Sequence, residues 1–318
     1  MNSALLMRQG PIIHHAIRLD RAPAWVWIAL QTVALWPTWR WMATRVSDGS
    51  DDPLGLLAIA AIAVLVWSVR KQLCSAPRLS WMAVALVGTL AATSMRGTVT
   101  PLATSLLAIV SWACGLIAFL PSVRRGAMHA SNGVLWPAPR HAVATVPVLG
   151  LAVLALPLIA SLQFYAGYPL RVLTAEASRW LLAVGFAVQR EGSSLLVDGH
   201  LVIVDAPCSG VQMAWAGYFT ACAVALFKGQ SNRGFALRLP LVGFTVLAGN
   251  VLRNTALVAL EATGNASSQV VHQGIGLVTL AAVCGAVAWL MGSCVGDAAR
   301  SEIFRGVSGQ RCKQGECK

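Results

Sequence analysis

Three residues of this chain could together do acyl-transfer chemistry: Cys208, Arg253 and His272. Cys208 sits in Ala206-Pro207-Cys208-Ser209-Gly210, between a short β-prone run ending at Val204 and a long apolar helix pattern opening at Val211. A helix N-terminus lowers the pKa of a thiol beside it, and the thiolate is the attacking species. A histidine can take the thiol proton and later protonate a leaving amine. An arginine can orient a carbonyl or stabilise its oxyanion. Each residue alone has a plainer role: a small buried cysteine, a snorkelling arginine, an interfacial histidine. The case rests on whether the elements between them bring them to one level.

Those elements are membrane spans. The 318-residue chain is 57% hydrophobic, only 11% charged, and has a mean hydropathy of +0.66. An ordinary soluble protein is about 25% charged. The fold class is therefore an all-α polytopic membrane protein. Apolar stretches of bilayer-spanning length are expected at residues 23–41, 53–69, 79–95, 101–120, 142–165, 208–227, 237–260 and 273–294. Segment 172–188 carries Glu176 and Arg179 and reads as an amphipathic interfacial helix, not a ninth span. Runs 194–197 and 201–204, separated by Asp198-Gly199-His200, read as a β-hairpin leading to Cys208. The organisation is a polar, basic tail (1–22), an N-terminal bundle (23–165), a catalytic region (166–294) and a basic tail (295–318). The first apolar stretch lacks a small-x-small cleavage site and is expected to be retained.

Loop charge sets the orientation. Most of the 24 Lys and Arg residues, among them Arg70, Lys71, Arg124, Arg125, Lys228, Arg233 and Arg300, fall on the side of the termini. Both termini are then cytoplasmic, and the net charge of +12 is loop charge and not a nucleic-acid surface. In this topology Cys208 starts a descending span, Arg253 lies in the upper part of an ascending one, and His272 opens the next descending one. All three reach the outer face. Arg253 is expected roughly 10 Å of helix below the end of its span, where an arginine costs about 2.5–3.5 kcal/mol. Its neighbours Asn250 and Asn254 share a helix face. The eight cysteines include no CxxC pair, so neither a disulfide framework nor a zinc site is expected. No cofactor is implied. No carboxylate lies within a span, which excludes a two-Asp intramembrane protease.

The ordered set Pro207-Cys208-Ser209-Gly210, then Asn250-Val251-Leu252-Arg253, then His272, on consecutive spans, resembles the exosortase/archaeosortase family of membrane cysteine transpeptidases. The resemblance covers about residues 166–291; the earlier spans match only as generic apolar helices. It implies action on secreted proteins bearing a C-terminal sorting signal: a short motif such as Pro-Glu-Pro, a transmembrane helix, then a basic tail. By motif matching, Cys208 is the nucleophile, His272 the general acid/base and Arg253 the oxyanion or substrate-orienting group. Asn250, Ser209 and Gly210 support them. A cell-surface acceptor would resolve the acyl-enzyme at the outer face of the inner membrane. Pro207, Gln212, Met213 and Asn254 depart from the common family pattern and suggest a divergent subgroup. Two other readings stay open. One is a transporter or assembly factor using Arg253 as a counter-ion; the chain lacks the internal repeat many transporters carry. The other is a serine protease using Ser209 with His272.

Overall fold

The computed structural model describes residues 23–121, 143–203, 210–263 and 269–293. Cys208 and Ser209 lie outside the described residues, as do both tails. The chain is mostly helical and divides into two units, residues 1–157 and 158–318. Four helices are long and apolar enough to cross a membrane, or five if Thr145–Leu154 and Ile159–Leu182 count as one broken span. The protein is thus a multi-pass membrane protein, but eight full-length spans are not what the described residues form.

The first unit contains α1 (Ala24–Ala34), α2 (Trp36–Ser47), α3 (Gly55–Val69), α4 (Leu79–Ser94), α5 (Pro101–Phe119) and α6 (Thr145–Leu154). The expected span 23–41 is instead two helices meeting at Leu35. Pro37 has no N–H to offer a carbonyl of the preceding turn. The indole of Trp39 fills part of the gap by donating to the Thr32 carbonyl (3.0 Å). Helix α5 is the buried centre, covered almost continuously from Ala113 to Phe119. Gln31 ties it to its neighbours: its amide donates to Thr89 Oγ1 on α4 (3.1 Å) and to the Ser111 carbonyl on α5 (2.9 Å). The last carbonyls of α5 have no intrahelical partner. The 74–78 loop supplies donors: the Cys74 N–H to Phe119, the Arg78 N–H to Ala118, and the Arg78 guanidinium to Ile117 and Leu120.

The second unit contains α7 (Ile159–Leu182), three strands, α8 (Val211–Phe227), α9 (Asn232–Ala262) and α10 (Gln269–Gly292). Here too an expectation fails. The stretch expected as a span at 142–165 breaks at Pro157, whose ring disfavours helix in the residue before it. Helix α7 begins just beyond, and the predicted interfacial segment 172–188 is its second half plus the following turn. Strands β1 (Val188–Glu191), β2 (Ser194–Val197) and β3 (His200–Ile203) form an antiparallel sheet in that order. Strand β1 was not expected, and His200 belongs to β3, not to the turn. Val188 pairs with Val197, and Val197 with His200. Asp198 and Gly199 both have positive φ (48° and 87°), the type I′ geometry whose twist matches a hairpin. Leu195, Val197 and Val202 bury against Ala175 and Leu182 of α7 and Leu257 and Val258 of α9.

Two contacts lay the sheet along α7. Arg190 of β1 donates to Glu176 (2.7 Å), and the β1–β2 turn at Gly192 approaches the Tyr168 hydroxyl. Glu176 also takes Arg179 (2.7 Å) and the Trp180 indole. The hydrogen bonds from Arg179, then Arg190, hold its carboxyl down at about 2, so the clamp stays ionised at any neutral pH. Hydrocarbon tolerates no open sheet edge, because lipid cannot satisfy its N–H and C=O groups. The sheet rests on the α7 stretch from Tyr168 to Leu182, the stretch where an interfacial element was expected.

Candidate active site

Helix α9 is joined to α7 by two buried bonds of the same kind. The Asn250 amide donates to Thr174 Oγ1 (3.1 Å), and the Asn254 amide donates to Ser178 Oγ (3.0 Å). Both partners advance by four residues, so the helices run in the same direction here with their polar stripes in register. All four side chains are buried. Asn254, which stood out as a departure in the sequence, is half of this zipper. The two asparagines hold α9 against the sheet-bearing helix.

Arg253 is three residues on from Asn250 and points about 60° away around the helix, toward α10. Its guanidinium lies flat on Gly276: a Cβ there would sit 3.2 Å from Nη2, 3.4 Å from Nε and 3.5 Å from Cζ. A Cβ there would push the guanidinium away by a few tenths of an ångström. His272 is one turn before Gly276 on the same face of α10. The seam between α9 and α10 thus gathers two of the three expected catalytic residues. Arg253 Nε is buried and meets no acceptor among the described residues.

Gly210 brings the third helix in. It caps α8 in the left-handed conformation (φ 80°, ψ 1°). A Cβ on it would lie 2.8, 2.9 and 3.2 Å from Cγ, Nδ2 and Oδ1 of Asn250. The amide plane of Asn250 is therefore stacked on the Gly210 Cα. A glycine is required twice over, for the positive φ and for the close approach. Gly210→Ala is expected to disturb the start of α8 while the spans still insert. Alkylation of Cys208 in membranes should slow roughly tenfold or more; an unchanged rate with intact insertion would show that this contact is unimportant.

Gly210, Asn250 and Gly276 meet at one end of three helices. From Asn250 back to Asn232, α9 measures about 27 Å; from Gly210 to Phe227, α8 measures about 26 Å; from Gly276 to Gly292, α10 measures about 24 Å, at ~1.5 Å per residue. Each is close to the ~30 Å of a hydrocarbon core. Helix α9 runs on for nine residues past Arg253, to Ala262, about 14 Å at ~1.5 Å per residue.

Thr174, Ser178 and Gly276 were missed in the sequence. The one available signal was the matching four-residue spacing of Thr174/Ser178 and Asn250/Asn254. The family model described as transmembrane exosortase (Exosortase_EpsH) matches residues 19–289. The chain belongs to the transmembrane exosortase family. No curated protein and no solved structure matches it. Membership supports a membrane transpeptidase of the exosortase kind. The match reaches back through the first unit, so its helices are part of the exosortase pattern and not merely generic apolar segments.

Proposed function

We propose that this exosortase is a cysteine transpeptidase that cleaves C-terminal sorting signals of secreted proteins. The Cys208 thiol gives its proton to His272, and the thiolate attacks a backbone carbonyl near the signal motif. Arg253 steadies the oxyanion as the tetrahedral centre forms. Collapse expels the amine, which His272 protonates, leaving a Cys208 thioester. A nucleophile at the cell surface, an acceptor group or water, then takes the acyl group and frees the thiol. The reaction calls for no metal or cofactor.

One observation carries this reading. The Arg253 guanidinium lies on Gly276 one turn from His272, while Gly210, two residues after Cys208, stacks on Asn250, three residues before Arg253. A substrate held by its own transmembrane helix presents its scissile bond at a membrane boundary. Tethering then raises its effective concentration without new contacts. The loop charges favour the outer face of the inner membrane, with both termini cytoplasmic.

The test is a trapped intermediate. An epitope-tagged protein ending in a short motif, one apolar span and a basic tail is co-expressed with the exosortase from its own genome. Acid quenching should yield a hydroxylamine-sensitive adduct that mass spectrometry maps to Cys208. An adduct elsewhere, or none while processing continues, would rule the mechanism out.

A further inference from the structure

Two chemically similar bonds join α7 to α9, yet only one of them connects to the nucleophile's helix. Asn254–Ser178 ends on α7. Asn250–Thr174 continues: the far side of the Asn250 amide is the surface on which Gly210 rests. The oxygen of Thr174 thus takes a hydrogen bond from one end of a flat amide whose face meets the start of α8. Thr174 is fully buried on the same stripe of α7 as Ala175 and Ser178. It is carried by the helix that bears the sheet, and the sheet is the element from which the chain runs to Cys208.

We infer that Thr174 is a positioning residue of the active site: its hydroxyl helps orient the Asn250 amide, which seats Gly210, two residues after Cys208, at the start of α8. This makes α7 part of the catalytic apparatus and not only a support for the sheet. The inference rests on the reading of Cys208 as the nucleophile. An off-angle amide would change the surface on which Gly210 rests, an approach so close that a Cβ on Gly210 would lie 2.8 Å from Asn250 Cγ. A displacement of about 1 Å in a reacting group can cost on the order of a hundredfold in rate.

The paired bonds supply an internal control. Thr174→Val keeps the shape and removes the acceptor; Thr174→Ser keeps the acceptor; Ser178→Ala removes the equivalent acceptor one turn away. Each full-length variant is assayed in membranes for its melting temperature and for the rate at which iodoacetamide labels Cys208 between pH 6 and 9. Peptide mapping resolves Cys208 from the other seven cysteines. Thr174→Val and Ser178→Ala should lower the melting temperature alike. Only Thr174→Val should slow labelling, roughly tenfold, with Thr174→Ser restoring it. Equal labelling rates in Thr174→Val and Ser178→Ala would reduce Thr174 to a structural role and overturn the inference. If wild-type Cys208 labels no faster than a free thiol, and Cys208→Ala still processes substrate, it is the nucleophile reading that fails.

Discussion

Cys208→Ala should leave an inserted, folded protein whose substrate accumulates with its sorting signal attached. The substitution removes a thiol and little else. Residues 208–209 precede α8, whose anchoring contacts run through Gly210, Val211 and Met213, and the latter two are buried. Removing the nucleophile from a covalent catalyst leaves only binding and oxyanion stabilisation, so the loss should be roughly 10³-fold or more. Pulse-chase labelling of the tagged substrate, with the exosortase quantified in the membrane fraction, gives the rate directly. Normal processing would sink the acyl-transfer reading. It would also revive the two alternatives, because a counter-ion transporter or a Ser209 protease has no need of Cys208.

Arg253→Lys carries the second largest expected loss, roughly a hundredfold in processing rate. The reason is shape more than charge. The guanidinium occupies a slot whose floor is the bare Cα of Gly276, and three of its atoms lie at nearly one distance from the missing Cβ position. A lysine keeps the positive charge but ends in a compact ammonium that cannot present a planar fork. An arginine whose task was only to reach water would be replaced by lysine at little cost. Near-normal turnover in the same pulse-chase assay would assign Arg253 that lesser role.

How much of this could be read from the chain differs element by element. Helices α3, α4 and α5 lie within a few residues of their expected positions, because long apolar runs bounded by polar loops leave few choices. The breaks at Leu35 and Pro157 were harder. Proline is tolerated in a first helical turn, so Pro37 and Pro157 did not by themselves say whether a span ended or bent. Strand β1 reads Val188-Gln189-Arg190-Glu191, with three polar residues in four, and is a strand because β2 offers it a partner and Glu176 holds Arg190. No local pattern encodes that. Arg253 and His272 were legible because charge and imidazole stand out in apolar helices. Thr174 and Gly276 were not, since a buried hydroxyl and a glycine acquire meaning only from a partner on another helix. The Thr174–Asn250 pair joins residues 76 positions apart.

The distances from Gly210, Asn250 and Gly276 to the far ends of their helices have a mechanical consequence. At about 24–27 Å they fall short of an ordinary ~30 Å hydrocarbon core. If these three residues mark the outer edge of the bilayer, lipid beside α8, α9 and α10 has to compress to cover them, at a modest cost per ångström of hydrophobic mismatch. A guest helix cut to fit undisturbed bilayer has no reason to shorten. Set against these three helices it stands proud of the thinned patch by about 3–6 Å, or two to four residues at ~1.5 Å each. The bilayer's own elasticity would then lift the end of a neighbouring helix clear of lipid at the level where Arg253 lies on Gly276, one turn from His272.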